Sequence, residues 1–472
     1  MVKFGTGGWR ALIGDDFTKA NVLLLGTAIA RTIQKENCQD KGVVIGYDRR
    51  FLSEQAAIWM SELMAGENVR CRIIPYDAPT PLIMYAVKHY DCPYGMAITA
   101  SHNPALYNGV KLFTQGGRDA DETVTNLLEK EIALVESENK PYNVVEYKDG
   151  LKSGKIEKVN PQNLYLDSII SSVDMEAIRN RELHVVLDPM YGVSKTSLQT
   201  VLMTARCDVN VIHDRHDTLF GGRLPAPTAE TLTALKDYVL QNHMDVGIAT
   251  DGDADRLGII DDLGNFVHPN QILVILYYYL LKYKNWRGPA VRNIATTHLL
   301  DKVAKAFGQE CIEVPVGFKY ISAGMEKSGA IIGGESSGGL TVKGHIAGKD
   351  GIYAAAQLIE MLAVTGKKLS QIYKDIMDEY GTLIVSERDY RFSHEKKAEV
   401  LKTIMEDRLL PEFPFEIEKI SYLDGCKVYF KNGGWVICRF SGTEPLLRIA
   451  CEMTTKQEAD LICDKIQAFL AL

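Results

Sequence analysis

Short apolar runs recur along the chain, at Val43–Tyr47, Met96–Thr99, His184–Leu187, Val246–Ala249 and Ala330–Ile332, separated by longer stretches whose apolar positions return with helical spacing. Such alternation predicts α/β layers. From about Thr382 the pattern changes. Short β-like runs (Val428–Phe430, Trp435–Phe440, Leu447–Glu452) and a closing helix from Lys456 predict an α+β domain. The polar stretch Glu136–Lys158 reads as a separator, and Asp261-Asp262-Leu263-Gly264-Asn265 reads as a hairpin turn. The layout expected from these marks is three related α/β domains, at 1–155, 156–262 and 263–378, followed by an α+β domain at 379–472. The longest apolar stretch, Ile272–Leu281, carries three tyrosines and has about half the length a bilayer span needs, so it predicts a buried helix.

Three of the predicted strands run into polar, small-residue loops: MAITASHNP, VGIATDGDADR and AIIGGESSGG. In parallel α/β sheets ligands sit beyond the carboxyl ends of the strands, so chemistry is expected there. In Thr99-Ala100-Ser101-His102-Asn103-Pro104 a hydroxyl exposed at a strand end, beside a histidine and within loop reach of Lys111, suits a nucleophile or phosphoryl carrier, while an Asx-type turn explains the same residues without chemistry. In Asp251-Gly252-Asp253-Ala254-Asp255-Arg256 three carboxylates at alternate positions suit a hard cation such as Mg²⁺; a solvated acidic turn is the bland alternative. An EF-hand is excluded, because its sixth position needs Gly where Arg256 stands and its twelfth needs Glu where Asp262 stands. Gly334-Glu335-Ser336-Ser337-Gly338 fits G-x-S-x-G, yet the following Gly339-Leu340-Thr341-Val342 leans to β rather than to the helix a nucleophile elbow needs. Glu335 and Ser337 suit hydrogen bonds to sugar hydroxyls, with a plain glycine turn equally compatible. Arg439-Phe440-Ser441-Gly442-Thr443-Glu444-Pro445, with Arg448 beyond, combines arginine, hydroxyls and a glycine backbone suited to a metal-free phosphate cradle, while Ser-Gly-Thr by itself is a common turn.

Composition narrows the partners. Of 472 residues 46% are hydrophobic and 24% charged, the balance of a globular chain, and 53 Lys plus Arg against 61 Asp plus Glu give a net charge of -8. That charge argues against nucleic acid or an anionic membrane as partner, so an anionic ligand must meet a local basic pocket. No signal-peptide pattern opens the sequence, which gives a cytoplasmic expectation. Nine cysteines without a Cys-x-x-Cys pair read as reduced thiols. Gly5-Thr6-Gly7-Gly8-Trp9-Arg10 matches neither a dinucleotide fingerprint nor a Walker loop, which argues against NAD(P) or ATP.

TASHNP, DGDADR, the GGE-type glycine loop and R-x-SGTEP occur in that order, and together they resemble the α-D-phosphohexomutase family, in its phosphoglucomutase/phosphomannomutase branch, over essentially the whole chain. The resemblance implies four domains around a central cleft and an intramolecular phosphotransferase acting on sugar phosphates. It implies that Ser101 carries the phosphoryl group, that Ser101, Asp251, Asp253 and Asp255 bind Mg²⁺, and that His102 and Arg256 contact the phosphoserine. Arg10 and Lys111 would stand beside the reacting oxygen, with Lys111 as proton shuttle. Lys319, Glu335 and Ser337 would read the sugar, and Arg439, Ser441, Gly442 and Thr443 the distal phosphate. The implied reaction is glucose 1-phosphate to glucose 6-phosphate through a hexose 1,6-bisphosphate, which also serves as activator. Phosphomannomutase, dual-specificity mutase and metal-dependent sugar phosphatase are the alternatives, and the expected assembly is monomer or dimer. Ser336, Gly339 and Phe440 depart from residues usual in the family, a second glutamate, a histidine of some branches and a proline. His345 is a candidate replacement for that histidine near the sugar.

Overall fold

The computed structural model describes residues 2–4, 8–440 and 446–472. Contacts divide the chain into two compact units, Met1–Pro269 with Ser337–Ser370, and Asn270–Ser336 with Gln371–Leu472.

The first unit opens with a sheet of β1 (Trp9–Leu12), β2 (Val43–Tyr47), β3 (Cys71–Asp77), β4 (Tyr94–Ile98), β5 (Tyr107–Thr114), β6 (Arg118–Asp119) and β7 (Ile156–Lys158), ordered β1-β5-β4-β2-β3-β7 with β6 on β5. Every residue of β2 and β4 is buried, as strands covered on both faces must be. β3, β2 and β4 run parallel, and β5 returns antiparallel to β4. The next sheet comprises β8 (His184–Asp188), β9 (Asp208–Val211), β10 (Val246–Thr250), β11 (Leu257–Ile260) and β12 (Phe266–Val267), ordered β12-β11-β10-β8-β9. Here β9, β8 and β10 are parallel and β11 returns antiparallel to β10, the arrangement of the first sheet strand for strand.

In the second unit β13 (Ala290–Asn293), β14 (Cys311–Val314) and β15 (Ile332–Gly334) repeat the parallel triplet, with the strand earliest in sequence again in the middle. β16 (Leu340–Val342) belongs to the first unit, together with the buried helix Gly351–Thr365. The C-terminal domain is an antiparallel sheet of β17 (Ile384–Arg391), β18 (Ile417–Ser421), β19 (Cys426–Phe430), β20 (Trp435–Phe440) and β21 (Leu446–Met453), ordered β17-β21-β20-β19-β18. Helix Lys456–Leu470, opened by a Thr455/Glu458 capping box, lays Ala459, Ile462, Cys463 and Ile466 on that sheet's core. The expected α/β class with a terminal α+β domain is thus the fold observed.

Two expectations need correcting. The stretch Glu136–Lys158, expected as a separator, holds the end of helix Glu122–Glu138, helix Tyr147–Ser153 and β7, and β7 pairs with β3, so the first sheet runs on to Lys158. The run at Ala330–Ile332 becomes strand only from Ile332, because the ladder pairs Ile332, Gly333 and Gly334 with Ala290, Val291 and Arg292. Ile272–Leu281 lies within helix Pro269–Lys282 and is wholly buried. No described helix is long and apolar enough to cross a membrane. All nine cysteines are free.

Candidate active site

The connections after β4 and β10 bring the chemistry of the first unit together. Ser101 stands three residues beyond β4 in the left-handed conformation, φ 53°, and its Oγ donates to Asp251 Oδ2 at 2.7 Å. A non-glycine residue there is strained, so the surroundings must hold it. Against the expectation of an exposed hydroxyl, Ser101 is fully buried, because the DGDADR turn packs over it. His102 Nδ1 lies 3.4 Å from Ser101 Oγ. Burial, then the charges of Arg256 and Arg10, hold the His102 imidazole well below its ordinary pKa, so it is neutral at pH 7.

Asp251, Asp253 and Asp255 are buried, and one oxygen from each lies within 4.8 Å of the others. Asp253 Oδ2 accepts from Lys111 Nζ at 2.6 Å and from Thr80 Oγ1 at 2.6 Å; Asp255 Oδ2 meets Lys111 Nζ at 2.5 Å and Lys349 Nζ at 2.8 Å. Burial, then the negative charges of Asp253 and Asp255, push Asp251 up to about 8. For Asp253 and Asp255 burial acts in the same direction, but the lysines overcome it and both stay below the ordinary aspartate value. Lys111 is the mirror case: burial disfavours its charge, the aspartates outweigh burial, and its pKa rises. Asp253 Oδ1 and Asp255 Oδ1 remain buried without a hydrogen-bond partner. Two orphaned carboxylate oxygens in an all-oxygen cluster fit a small hard divalent cation.

Arg10 and Lys111 are placed by strand pairing, since Arg10 on β1 opposes Gly109 on β5, two residues before Lys111. Arg10 Nη1 donates to Asn103 Oδ1 at 2.9 Å. Arg256 N donates to Asp251 Oδ1 at 3.0 Å, and its Nη1 to the Ser337 carbonyl at 3.3 Å. Ser101, His102, Arg10, Lys111, the three aspartates, Arg256 and the Ser337 backbone thus form one connected group.

Lys319, Glu335 and Arg439 belong to the second unit. Glu335 Oε1 accepts from Asn293 Nδ2 at 3.1 Å and from Gly317 N at 3.0 Å, which ties its loop to the segment carrying Lys319. Lys319 Nζ lies 5.0 Å from the Tyr320 ring centre. Arg439 Nε donates to Asp424 Oδ2 at 2.9 Å, and the same oxygen accepts from Val316 N. Ser441, Gly442 and Thr443 lie outside the described residues.

His345 does not serve as the sugar-site histidine considered above. Its Nε2 pairs with Asp350 Oδ2 at 2.8 Å, and its ring is packed among Tyr85, Tyr165 and Tyr353. Asp350 also accepts from Tyr165 Oη and caps helix Gly351–Thr365, so the cluster is structural. Sequence reasoning missed Thr80, Lys349 and Asp424. Lys349-Asp350-Gly351 ahead of an apolar helical run was a legible cap signal, but nothing local pointed its lysine at Asp255. Thr80 and Asp424 lie far in sequence from their partners.

Four domain families match in order: the phosphoglucomutase/phosphomannomutase α/β/α domains I, II and III over residues 1–139, 163–264 and 268–380, and the C-terminal domain over 393–468. A phosphoglucomutase/phosphomannomutase of Thermococcus kodakarensis is 30% identical over 458 residues, 97% of this chain and 95% of the relative. A Pyrococcus abyssi protein assigned as a phosphoglucosamine mutase is 30% identical over 467 residues, 98% and 96% of the two chains. Among solved structures, a Thermus thermophilus protein assigned as a phosphomannomutase superposes with a TM-score of 0.85 at 28% identity, over 100% of this chain and 99% of the other.

Proposed function

This chain belongs to the phosphoglucomutase/phosphomannomutase family, and on that premise we propose that it interconverts glucose 1-phosphate and glucose 6-phosphate through a phosphoserine at Ser101 and a hexose 1,6-bisphosphate. The observation that carries the reading is the Ser101 Oγ hydrogen bond to Asp251, inside a cluster that also gathers Asp253, Asp255, Lys111 and Arg256. A serine esterified there becomes a dianion that another phosphate can approach only if its charge is offset.

In the first half-reaction the bond between phosphorus and Ser101 Oγ breaks, and a bond forms to the free sugar hydroxyl. The bisphosphate then returns its other phosphoryl group to Ser101. Each transfer takes a proton from the attacking hydroxyl and gives one to the leaving oxygen. Lys111, held protonated by Asp253 and Asp255, supplies the proton to the leaving oxygen and recovers it from the attacking hydroxyl. Arg10 and Arg256 add fixed positive charge for the phosphoryl group in transit. Ser101, Asp251, Asp253 and Asp255 are the residues that would hold Mg²⁺, which when bound supplies charge stabilisation to phosphoryl transfer. Lys319, Glu335 and Ser337 take the sugar, and Arg439 with Ser441, Gly442 and Thr443 the phosphate that does not react.

Glucose is preferred in this reading because the Glu335–Ser337 loop ends in Gly339, where glucosamine-type loops carry histidine. Glu335 accepts from hydroxyls that glucose and mannose share, so mannose 1-phosphate is a secondary substrate. A second reading, glucosamine 1-phosphate, is favoured by the Pyrococcus abyssi relative, whose identity equals that of the Thermococcus one. The test is kcat/KM for glucose, mannose and glucosamine 1-phosphates with Mg²⁺ and a trace of bisphosphate. Glucose should lead; a lead for glucosamine 1-phosphate establishes the second reading. Intact mass should show a phosphorylated fraction that vanishes in Ser101→Ala together with turnover. Phosphate release without isomerisation would mark a phosphatase and end the mutase reading.

A further inference from the structure

Arg50 lies in the turn after β2, fully buried, and spends both terminal nitrogens on the backbone of one loop. Its Nη1 donates to the carbonyls of Pro104 at 2.8 Å and Tyr107 at 2.9 Å, and its Nη2 to those of Ser101 at 2.6 Å and Asn103 at 2.7 Å. Asp48, two residues earlier, sits 3.3 Å from Arg50 Nε and accepts from Thr99 Oγ1 at 2.6 Å. Thr99 Oγ1 in turn accepts from Ser101 N at 2.8 Å. Both backbone polar groups of Ser101 are therefore tied to the same turn, the carbonyl through Arg50 and the N–H through Thr99 and Asp48. The Phe220 ring closes over the guanidinium, 4.9 Å from Cζ, and a Cβ on Gly252 would stand 2.8 Å from the Ser101 carbonyl oxygen.

A buried guanidinium usually finds carboxylates. Here Asp48 lies beside Nε, but both terminal nitrogens go to four carbonyls of the loop that carries the reactive serine, and that serine is the loop's left-handed residue. We propose that Asp48 and Arg50 form a positioning clamp that holds Ser101 in its left-handed conformation, so that its oxygen stays aligned for phosphoryl transfer. The inference rests on the reading of Ser101 as phosphoryl carrier. Neither side chain reaches the Ser101 oxygen itself; both act through backbone. A planar fork with four usable N–H groups is required, which a lysine ammonium with three donors cannot reproduce. Thr99 is the relay, and its loss frees the Ser101 N–H while leaving the arginine in place.

The test uses the full chain with Arg50→Lys and Thr99→Val, reading kcat, KM and the single-turnover rate at which hexose 1,6-bisphosphate phosphorylates the dephosphorylated enzyme, followed by intact mass. Misplacing a nucleophile by about 1 Å should cost roughly 10²-fold in kcat and in phosphorylation rate for Arg50→Lys, with a smaller loss in the same direction for Thr99→Val. KM should stay within about threefold, a split that general loosening of the site would not give. Should Arg50→Lys fail to fold, Thr99→Val decides. Wild-type phosphorylation rate in either folded variant, or a raised KM with unchanged kcat, overturns the clamp. Ser101→Ala in the same assay separates the two readings. If it still turns over, the phosphoserine falls and the clamp with it; if it is inert while Arg50→Lys is phosphorylated normally, only the clamp falls.

Discussion

Asp253 sits between Lys111 and Thr80 and keeps one buried oxygen without a partner, so it joins the lysine's charge to the unpartnered acceptors of the cluster. Asp253→Asn preserves shape and removes charge. It should lower kcat by roughly 10²-fold or more while leaving substrate affinity close to wild type, because the charge it helps organise is needed most in the transition state. The check is steady-state kinetics across a Mg²⁺ titration, with excess EDTA as the limit. Activity that survives EDTA makes the three aspartates structural. The identities of this residue and its neighbours were readable because chemistry at Ser101 and the three aspartates is written in contiguous motifs. Thr80 was not, since it reaches Asp253 from a helix start whose local sequence, Pro79-Thr80-Pro81, says only where a helix begins. Neither was Lys349, whose neighbours Asp350 and Gly351 signal only the start of a helix, nor the burial of Ser101, which depends on a turn 150 residues away.

Strand pairing sets the distance between Arg10 and Lys111. β1 crosses β5 so closely at Gly109 that a Cβ there would lie 2.1 Å from the Trp9 carbonyl oxygen, a backbone atom that cannot swing aside. Gly109→Ala should therefore push β1 off β5 and displace Arg10. The expected cost is about 1–3 kcal/mol in stability with kcat/KM falling by roughly tenfold or more, checked by thermal melting and kinetics on one preparation. Unchanged activity would mean that Arg10 does not work from this strand. The elements themselves were legible where periodicity is unambiguous: Val43–Tyr47 is β2 to the residue, and Lys456 starts the last helix. They were misread where charge obscured a short edge strand, as at β7, whose Glu157 and Lys158 face water while Ile156 alone is buried. A three-residue strand with one apolar side chain carries too little pattern to stand out from a linker.

Three copies of one parallel triplet and an antiparallel C-terminal sheet make up the chain, yet contact divides it elsewhere. Glu335 and Ser337, two residues apart, fall in different units, because residues 337–370 fold with the first two sheets. No local pattern announces such a return of the chain, and four-domain spacing hides it. Within the second unit, the third and fourth domains are joined by a buried charge network. Lys427 on β19 donates to Glu313 on β14 at 2.8 Å and to the Ile294 carbonyl at 2.6 Å, under the Trp435 ring; Arg292 on β13 holds the same glutamate at 2.6 Å. Burial, then the Arg292 charge, bring Lys427 down to about 7 despite Glu313. The sign of the consequence follows from proton counting. Between pH 7 and the ordinary lysine value the unfolded chain binds a proton at Lys427 that the folded chain has released, so stability rises with pH across that window, by at most about 1.4 kcal/mol per unit. Below pH 7 both states are protonated and this contribution is flat. Lys427→Met keeps the volume and removes the titration, so the difference in stability between wild type and variant should grow in favour of wild type from pH 7 to pH 9. Calorimetry of the full chain at both pH values measures it. A difference that is constant across the window would show that Lys427 stays charged in the folded protein, with Glu313 rather than burial ruling its proton.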